Sequence, residues 1–217
     1  MQDSQFITFQ KFNDEGPALE LCALLKEHQI DHQFENSSAS FDPAFANSEI
    51  DREYRIKLRK DDFAKADNLL LAISSKQLDE VGKDYFLFDF SDKELLEVVA
   101  KKDEWSSLDF LLAQKILKER GKEIQPEDFE ALKKQRLNEL SKPEESQKVL
   151  VFAGYIMALL GGLLGVLIGW QLMTHTKTLP NGERVYGYSR DDRMHGKRIV
   201  IIGIVFFLLW ISFKILL

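Results

Sequence analysis

Two hydrophobic rhythms alternate along the first 90 residues. Residues 6–12, Phe-Ile-Thr-Phe-Gln-Lys-Phe, alternate apolar and polar side chains and predict a half-buried strand. Asn13 or Asp14 then caps a helix whose apolar positions, Leu19, Cys22, Ala23, Leu25 and Ile30, recur at helical spacing. A short strand at 32–35, a polar loop at 36–51 and an alternating strand at 54–59 follow. Asp61 or Asp62 starts a second helix through Phe63, Ala66, Leu69, Leu70 and Ile73, and the alternation over 84–90 predicts a closing strand. The order β-α-β-β-α-β is the split βαβ arrangement, so the expected fold class is α+β, with a ferredoxin-like domain over residues 1–90.

Beyond residue 90 the rhythm turns helical. One helix is predicted from 92 to about 105, and a second from 108 to 120 with Gly121 as its stop. A third runs from Pro126 through Phe129, Leu132, Leu137 and Leu140. Residues 91–142 therefore read as a helical subdomain or stalk, and 143–148 as a polar linker.

The remaining third of the chain is apolar. Residues 149–173 carry no charge, and at 1.5 Å per residue such a run exceeds the ~30 Å hydrocarbon layer of a bilayer. In residues 199–217 only Ser212 and Lys214 interrupt the apolar run, and Lys214 lies close enough to the end to snorkel. Two spans joined by a basic loop, 174–198, predict a transmembrane hairpin over 149–217. In the first run Gly154, Ala158, Gly161, Gly165 and Gly169 form a stripe of small side chains. Such a stripe suits close helix packing against the second run at Gly203, or against a second copy in a homodimer. Glycine is also simply frequent in membrane helices. The adjacent Gly161 and Gly162 permit a kink.

Charge sharpens the division. The net charge is −6, but residues 1–148 hold 22 Lys and Arg against 32 Asp and Glu, whereas residues 149–217 hold 7 against 3. The acidic part argues against a nucleic-acid partner held by bulk charge. Its first residues have no basic and apolar signal pattern, which predicts a cytoplasmic amino-terminal domain on a multi-pass membrane protein. Orientation is contested by the loop, whose Lys177, Arg184, Arg190, Arg193, Lys197 and Arg198 favour the cytoplasmic side. Two spans with both termini inside would put that loop outside. A re-entrant first segment, bent at Gly161 and Gly162, would instead keep it inside. Within the loop, Leu179-Pro180-Asn181-Gly182 predicts a turn pairing 176–178 with 184–188. Arg184, Arg190 and Arg193 with Tyr186 and Tyr188 make a candidate docking or anionic-lipid surface, or ordinary interface anchors.

The amino-terminal residues carry a resemblance. The first strand, the helix ending Leu24-Leu25-Lys26-Glu27-His28-Gln29-Ile30, the segment Phe41-Asp42-Pro43-Ala44-Phe45, and Tyr54-Arg55-Ile56-Lys57-Leu58 followed by Asp62-Phe63-Ala64-Lys65-Ala66 carry it. Over residues 5–75 they resemble the small bacterial domain known as the prokaryotic signal-transducing protein domain, a family similar in fold to the nitrogen-regulatory PII proteins. The resemblance implies a sensor or adaptor role at a bacterial cytoplasmic membrane and carries no catalytic motif. In PII-like folds the loop between the second and third strands contacts partners. By that implication Phe41, Asp42, Pro43 and Phe45 are the candidate partner-binding residues, their rings serving either as anchors for a protein partner or as core packing.

Enzymatic signatures are missing from the pattern. There is no phosphate loop, no His-Glu-x-x-His, no Gly-x-Ser-x-Gly and no Cys-x-x-Cys. His28 and His32 lie across a helix end and are expected to be solvated, so no metal and no cofactor are predicted. His175 and His195 border the basic loop as candidate pH-responsive groups. Cys22 is expected to be a reduced core residue. The pattern thus predicts a non-enzymatic, membrane-anchored signalling adaptor or sensor, with an accessory subunit of a membrane complex as the alternative.

Overall fold

Among the described residues helical periodicity dominates, and strands are confined to two small sheets. The computed structural model describes residues 5–38, 52–160 and 162–216. The chain forms two units, Met1–Leu140 with Thr178–Glu183, and Ser141–Lys177 with Arg184–Leu217.

The first unit begins with β1 (Ile7–Phe12), α1 (Glu15–Glu27), β2 (His32–Ser38), β3 (Arg52–Leu58) and α2 (Phe63–Gln77). The three strands are antiparallel in the order β1-β3-β2. Tyr54, Ile56 and Leu58 on the central strand are buried with Ala18, Leu21 and Leu25 of α1 and with Phe63 and Ala66 of α2. The spacing of Ile7, Phe9 and Phe12 is not a strict two, and a register shift between Thr8 and Gln10 lets all three pack on this core. The Phe9 ring meets Phe63 edge-on at 5.2 Å. The alternate residues of β3 point the other way, where Lys11, Glu53, Arg55, Glu35 and Lys57 form a ladder of ion pairs across all three strands. Hydrogen bonding from Lys57 holds the Glu35 carboxyl below its ordinary range, and Arg55 does the same for Glu53. One face is core and the other is solvated, which fixes the register.

The ferredoxin-like expectation fails at its fourth strand. Residues 86–89 form a 3-10 turn, Phe86–Asp89. The N–H groups of Phe88 and Phe90 bond the carbonyls of Tyr85 and Leu87. Arg120 donates to the carbonyls of Phe88 and Phe90 at 3.0 and 2.7 Å. The groups a strand would offer to a ladder are thus satisfied locally. The alternating side chains are absorbed by a helical core instead. Leu87 is buried with Leu95, Val98 and Val99 of α3 (Asp92–Ala100) and with Phe110, Leu112, Ala113, Ile116 and Leu117 of α4 (Ser107–Glu119). Phe86 and Phe90 pack with the Trp105 ring. Ser91 and Ser106 start α3 and α4 with capping boxes. Arg136 of α5 (Pro126–Ser141) is paired with Asp103 and Glu104.

The two-span hairpin is also corrected. Residues 149–173 do not make one helix but two, α6 (Lys148–Leu160) and α7 (Leu163–Thr174), about 20 and 18 Å long. Each is shorter than the ~30 Å hydrocarbon layer. Among the described residues one helix is long and apolar enough to cross a membrane, within α8 (Arg190–Leu216). Between α7 and α8, β4 (Thr176–Thr178) and β5 (Arg184–Tyr186) form a two-stranded sheet across the turn expected there.

Asp109 gives a test of the helical core. It is buried and accepts hydrogen bonds from the Tyr85 hydroxyl at 2.7 Å and the Ser106 hydroxyl at 2.6 Å. Burial, reinforced by Asp109, pushes the Tyr85 phenol up from 10.0 to about 12. A raised phenol pKa contributes stability that is complete below pH 10.0 and fades as the pH rises toward about 12. Tyr85→Phe is expected to cost about 1.5–3 kcal/mol at neutral pH. Urea unfolding of the full chain in mild detergent should also show the gap between wild type and variant closing over that alkaline window.

Candidate functional site

The polar end of the second unit gathers the groups that chemistry could use. Ser189 caps α8, with its hydroxyl oxygen accepting from the Asp192 N–H at 3.1 Å. Asp192 is 3% exposed, and its carboxylate accepts from the hydroxyls of Ser189 at 2.7 Å and Ser146 at 3.1 Å. The buried charge therefore joins the segment before α6 to the start of α8. Nearby, Gly187 donates its N–H to the carbonyl of His175 at 3.0 Å and accepts from the N–H of Glu144 at 2.8 Å. The His175 ring stacks on Tyr188 with centroids 4.6 Å apart, and its Nε2 lies 3.6 Å from Glu144. Burial, then the negative charges of Glu144 and Asp192, push the Tyr188 phenol up. Lys177 Nζ donates to the carbonyl of Lys142 at 2.6 Å. The Tyr155 hydroxyl meets His195 Nδ1 at 3.0 Å. Together these contacts clamp the base of α6, the base of α7 and the start of α8 to one another. Each acidic or imidazole group in the cluster has a structural partner.

Below that clamp the three helices pack through small residues. Gly162 takes φ +78°, which side-chain-bearing residues adopt at a cost. Its N–H reaches back to the carbonyl of Met157 at 3.2 Å, a 6→1 closure, while its carbonyl accepts from Val166 at 2.9 Å as α7 begins. The chain thus reverses at this glycine, and α7 returns antiparallel to α6. A Cβ on Gly165 would run into the backbone of Ala158, and one on Gly154 would lie 3.0 Å from Ile168 and 2.9 Å from Ile199. Along α8, Gly169 faces the carbonyl of Gly196 and Gly203 that of Gly162, each with a Cβ distance of 2.7 Å. The pairs 169 with 196 and 162 with 203 run in opposite directions, so α7 and α8 are antiparallel and α6 is parallel to α8. Gly154, Ala158, Gly165, Gly169 and Gly203 all lie inside this three-helix contact. Gly161 lies outside the described residues, as do Phe41, Asp42, Pro43 and Phe45.

The basic-loop residues are dispersed over this end. Arg184 donates to the Thr176 hydroxyl at 2.9 Å across the small sheet. The Arg193 guanidinium lies 3.7 Å from the Tyr186 ring centroid, a cation–π contact. Tyr188 is turned onto His175, and Arg190 is exposed at the start of α8. Asp192, Ser146, Tyr155 and Gly196 were not anticipated. Ser189-x-x-Asp192 is a legible capping pattern, whereas the partners 40 or more residues away leave no local trace.

Elsewhere, among the described residues, no three His, Cys, Asp or Glu gather as metal ligands. His28 and His32 each set Nδ1 3.0 Å from a local backbone carbonyl. A shallow depression of about 260 Å³ lies against Lys26, Gln29, Ile30, Asp31 and His32 at the end of α1. Cys22 is half-buried against the sheet core. No family model, no curated protein and no solved structure matches the chain, so nothing identifies the first unit as a PII-like domain.

The turn can be tested against an internal control. A Cβ at Gly162 would meet the Gly203 carbonyl and lie 2.7 Å from Phe207 Cβ, whereas Gly121, with φ +73°, has nothing within 4 Å. Both alanine variants bear a positive φ, and Gly162, at φ +78° and ψ −54°, lies outside the left-handed helical well in a strained region that costs a side-chain-bearing residue about 1–3 kcal/mol. Only Gly162→Ala adds a clash of about 1–3 kcal/mol. Thermal melts in detergent should therefore rank Gly162→Ala clearly below Gly121→Ala.

Proposed function

We propose that this chain is a membrane-anchored adaptor or sensor whose second unit inserts through one spanning helix and a re-entrant helical hairpin. The observation that carries the reading is the pairing of apolar surface with the return of the chain at Gly162. Phe152 is 68% exposed, Trp170 60%, Ile201 63% and Phe213 65%, an apolar surface on all three helices that water does not tolerate. At the turn, which water cannot reach in a bilayer, both backbone groups of Gly162 are paired within the hairpin, its N–H with the Met157 carbonyl and its carbonyl with the Val166 N–H.

This arrangement removes the conflict over charge. With α6 and α7 entering and leaving by the same face, Lys142 and Lys148 share a side with Lys177, Arg190, Lys197 and Arg198. The positive-inside rule then places that side in the cytoplasm. The acidic first unit, joined to α6 on that side, is cytoplasmic, and α8 carries the carboxyl-terminal end across. The resemblance of residues 5–75 favours a bacterial cytoplasmic membrane and a role in recognition. The segment holding Phe41, Asp42, Pro43 and Phe45 is the element proposed to engage a protein partner.

Single cysteines at Glu145 and Ser189, in a Cys22→Ser background, test the topology. An impermeant maleimide should label both only after lysis of intact cells, and a cysteine at Leu160 should stay unlabelled on either side of sealed membranes. Labelling of Ser189→Cys from outside with Glu145→Cys protected would overturn the re-entrant reading. For the adaptor role, purification in mild detergent is expected to recover a partner whose amount changes with growth condition and falls in Phe41→Ala/Phe45→Ala. A constant equimolar partner indifferent to those substitutions contradicts it.

A further inference from the structure

Interface-marking residues set the depth of the second unit. Trp170 on α7 is exposed and, by the pairing of Gly169 with Gly196, lies level with the residue before Gly196 on α8. Lys197 and Arg198 are exposed one turn or less further on, flanking the apolar stripe of Ile201, Ile204, Val205 and Leu208. Lys148 on α6 is exposed beside Val149. Lys148, Lys197 and Arg198 have no carboxylate partner among the described residues. Amphipathic aromatic rings and unpaired cations at one level mark a headgroup boundary. At the far end of α8, Lys214 lies 5.1 Å from the Trp210 ring centroid, a second pair of the same kind. Between Arg198 and Lys214 the helix rises about 24 Å, close to a hydrocarbon thickness.

Against that scale the hairpin is shallow. Its tip, Gly162, meets Gly203 and Phe207, five and nine residues beyond Arg198, or about 8–14 Å deep. Half of the roughly 24 Å between Arg198 and Lys214 is about 12 Å, so the hairpin ends at about the midplane. Beyond the tip, Leu208, Leu209, Trp210 and Phe213 are exposed around α8, so that helix continues alone. Three helices, each about 10 Å across, occupy the near leaflet, and one occupies the far leaflet.

Resting on the re-entrant reading above, we infer that the second unit is a membrane wedge that recognises lipid surfaces curved convexly toward the side of the basic rim. A body wider in one leaflet fits where that leaflet is stretched and displaces fewer packed lipids there. The partner is the bilayer itself. The cations and aromatic rings at both levels specify lipid, not a protein groove, as what covers the apolar surface.

The full chain, labelled through Lys83→Cys in a Cys22→Ser background, is reconstituted into phosphatidylcholine and phosphatidylglycerol vesicles of mixed size. Protein density per lipid area is then read vesicle by vesicle. Molecules whose label is reachable by an external quencher should be enriched at least about twofold on vesicles of about 40 nm over those of about 200 nm. Protected, oppositely oriented molecules should show the reverse trend. Equal densities, or the same trend for both orientations, overturn the wedge. Oxidative crosslinking of Phe213→Cys into a dimer overturns it too, because a second α8 would then fill the far leaflet. Same-side labelling of Glu145→Cys and Ser189→Cys in the same vesicles shows whether the hairpin has inserted, so failure of the topology is told apart from failure of the wedge.

Discussion

The positive-φ turn at Gly162 decides the form of the apolar last third of the chain. A run of 25 uncharged residues can be satisfied either as one long helix or as two short ones packed on each other, and local propensity hardly separates the two. Two adjacent glycines lower the cost of breaking the helix, and a positive φ at Gly162 turns the break into a reversal. Once reversed, the glycine and alanine stripe meets its own continuation. Ala158 against Gly165 and Gly169 against Gly196 bring backbones close enough for dispersion and backbone contacts to hold the helices together. The buried Asp192, bonded to Ser146 and Ser189, then closes the open end of the hairpin onto α8.

The first unit depends on a different economy of backbone groups. A three-stranded sheet with one apolar face needs only α1 and the first half of α2 to cover it, and Ile56, Leu58, Leu25 and Ala66 are fully buried by them. Leu71 in the second half of α2 and Leu78 just after its end are lent to the helical core around Leu95 and Leu117. One helix therefore serves two cores. This shared helix makes the order β-α-β-β-α sufficient without a fourth strand, because the residues that might have formed it are already engaged in the helical core.

What could be read from residue order follows the range of the interactions involved. The strand at 6–12, the first two helices, the capping residues and the turn at 179–182 rest on contacts within a few positions, and they occur where the pattern places them. The segment 84–90 did not yield to the same reading. Its alternation is real, but the decision between strand and turn rests on the Arg120 guanidinium, some 30 residues downstream, and on the ring of Trp105. The hairpin was legible only as a permitted kink, since its closure requires Gly196 and Gly203 to face residues more than 25 positions earlier. Of the polar clamp, the pairs Ser146 with Asp192 and Tyr155 with His195 join residues 46 and 40 positions apart and leave no local trace in the sequence.

In a chain proposed to enter a membrane, charge constrains topology more tightly than the length of an apolar run does, for a physical reason. An apolar residue is content in lipid, in a protein core or between two helices, so 25 of them in a row are compatible with several paths. A lysine or arginine near a membrane has far fewer favourable positions, each worth about 1 kcal/mol on an anionic leaflet. Six such residues between two apolar runs oppose a simple pair of spans. The backbone reversal at Gly162 answers that opposition. On the re-entrant topology proposed above, it returns the chain to the side it left, which would set the basic residues before α6 and after α7 in one headgroup layer and leave α8 alone in the far leaflet.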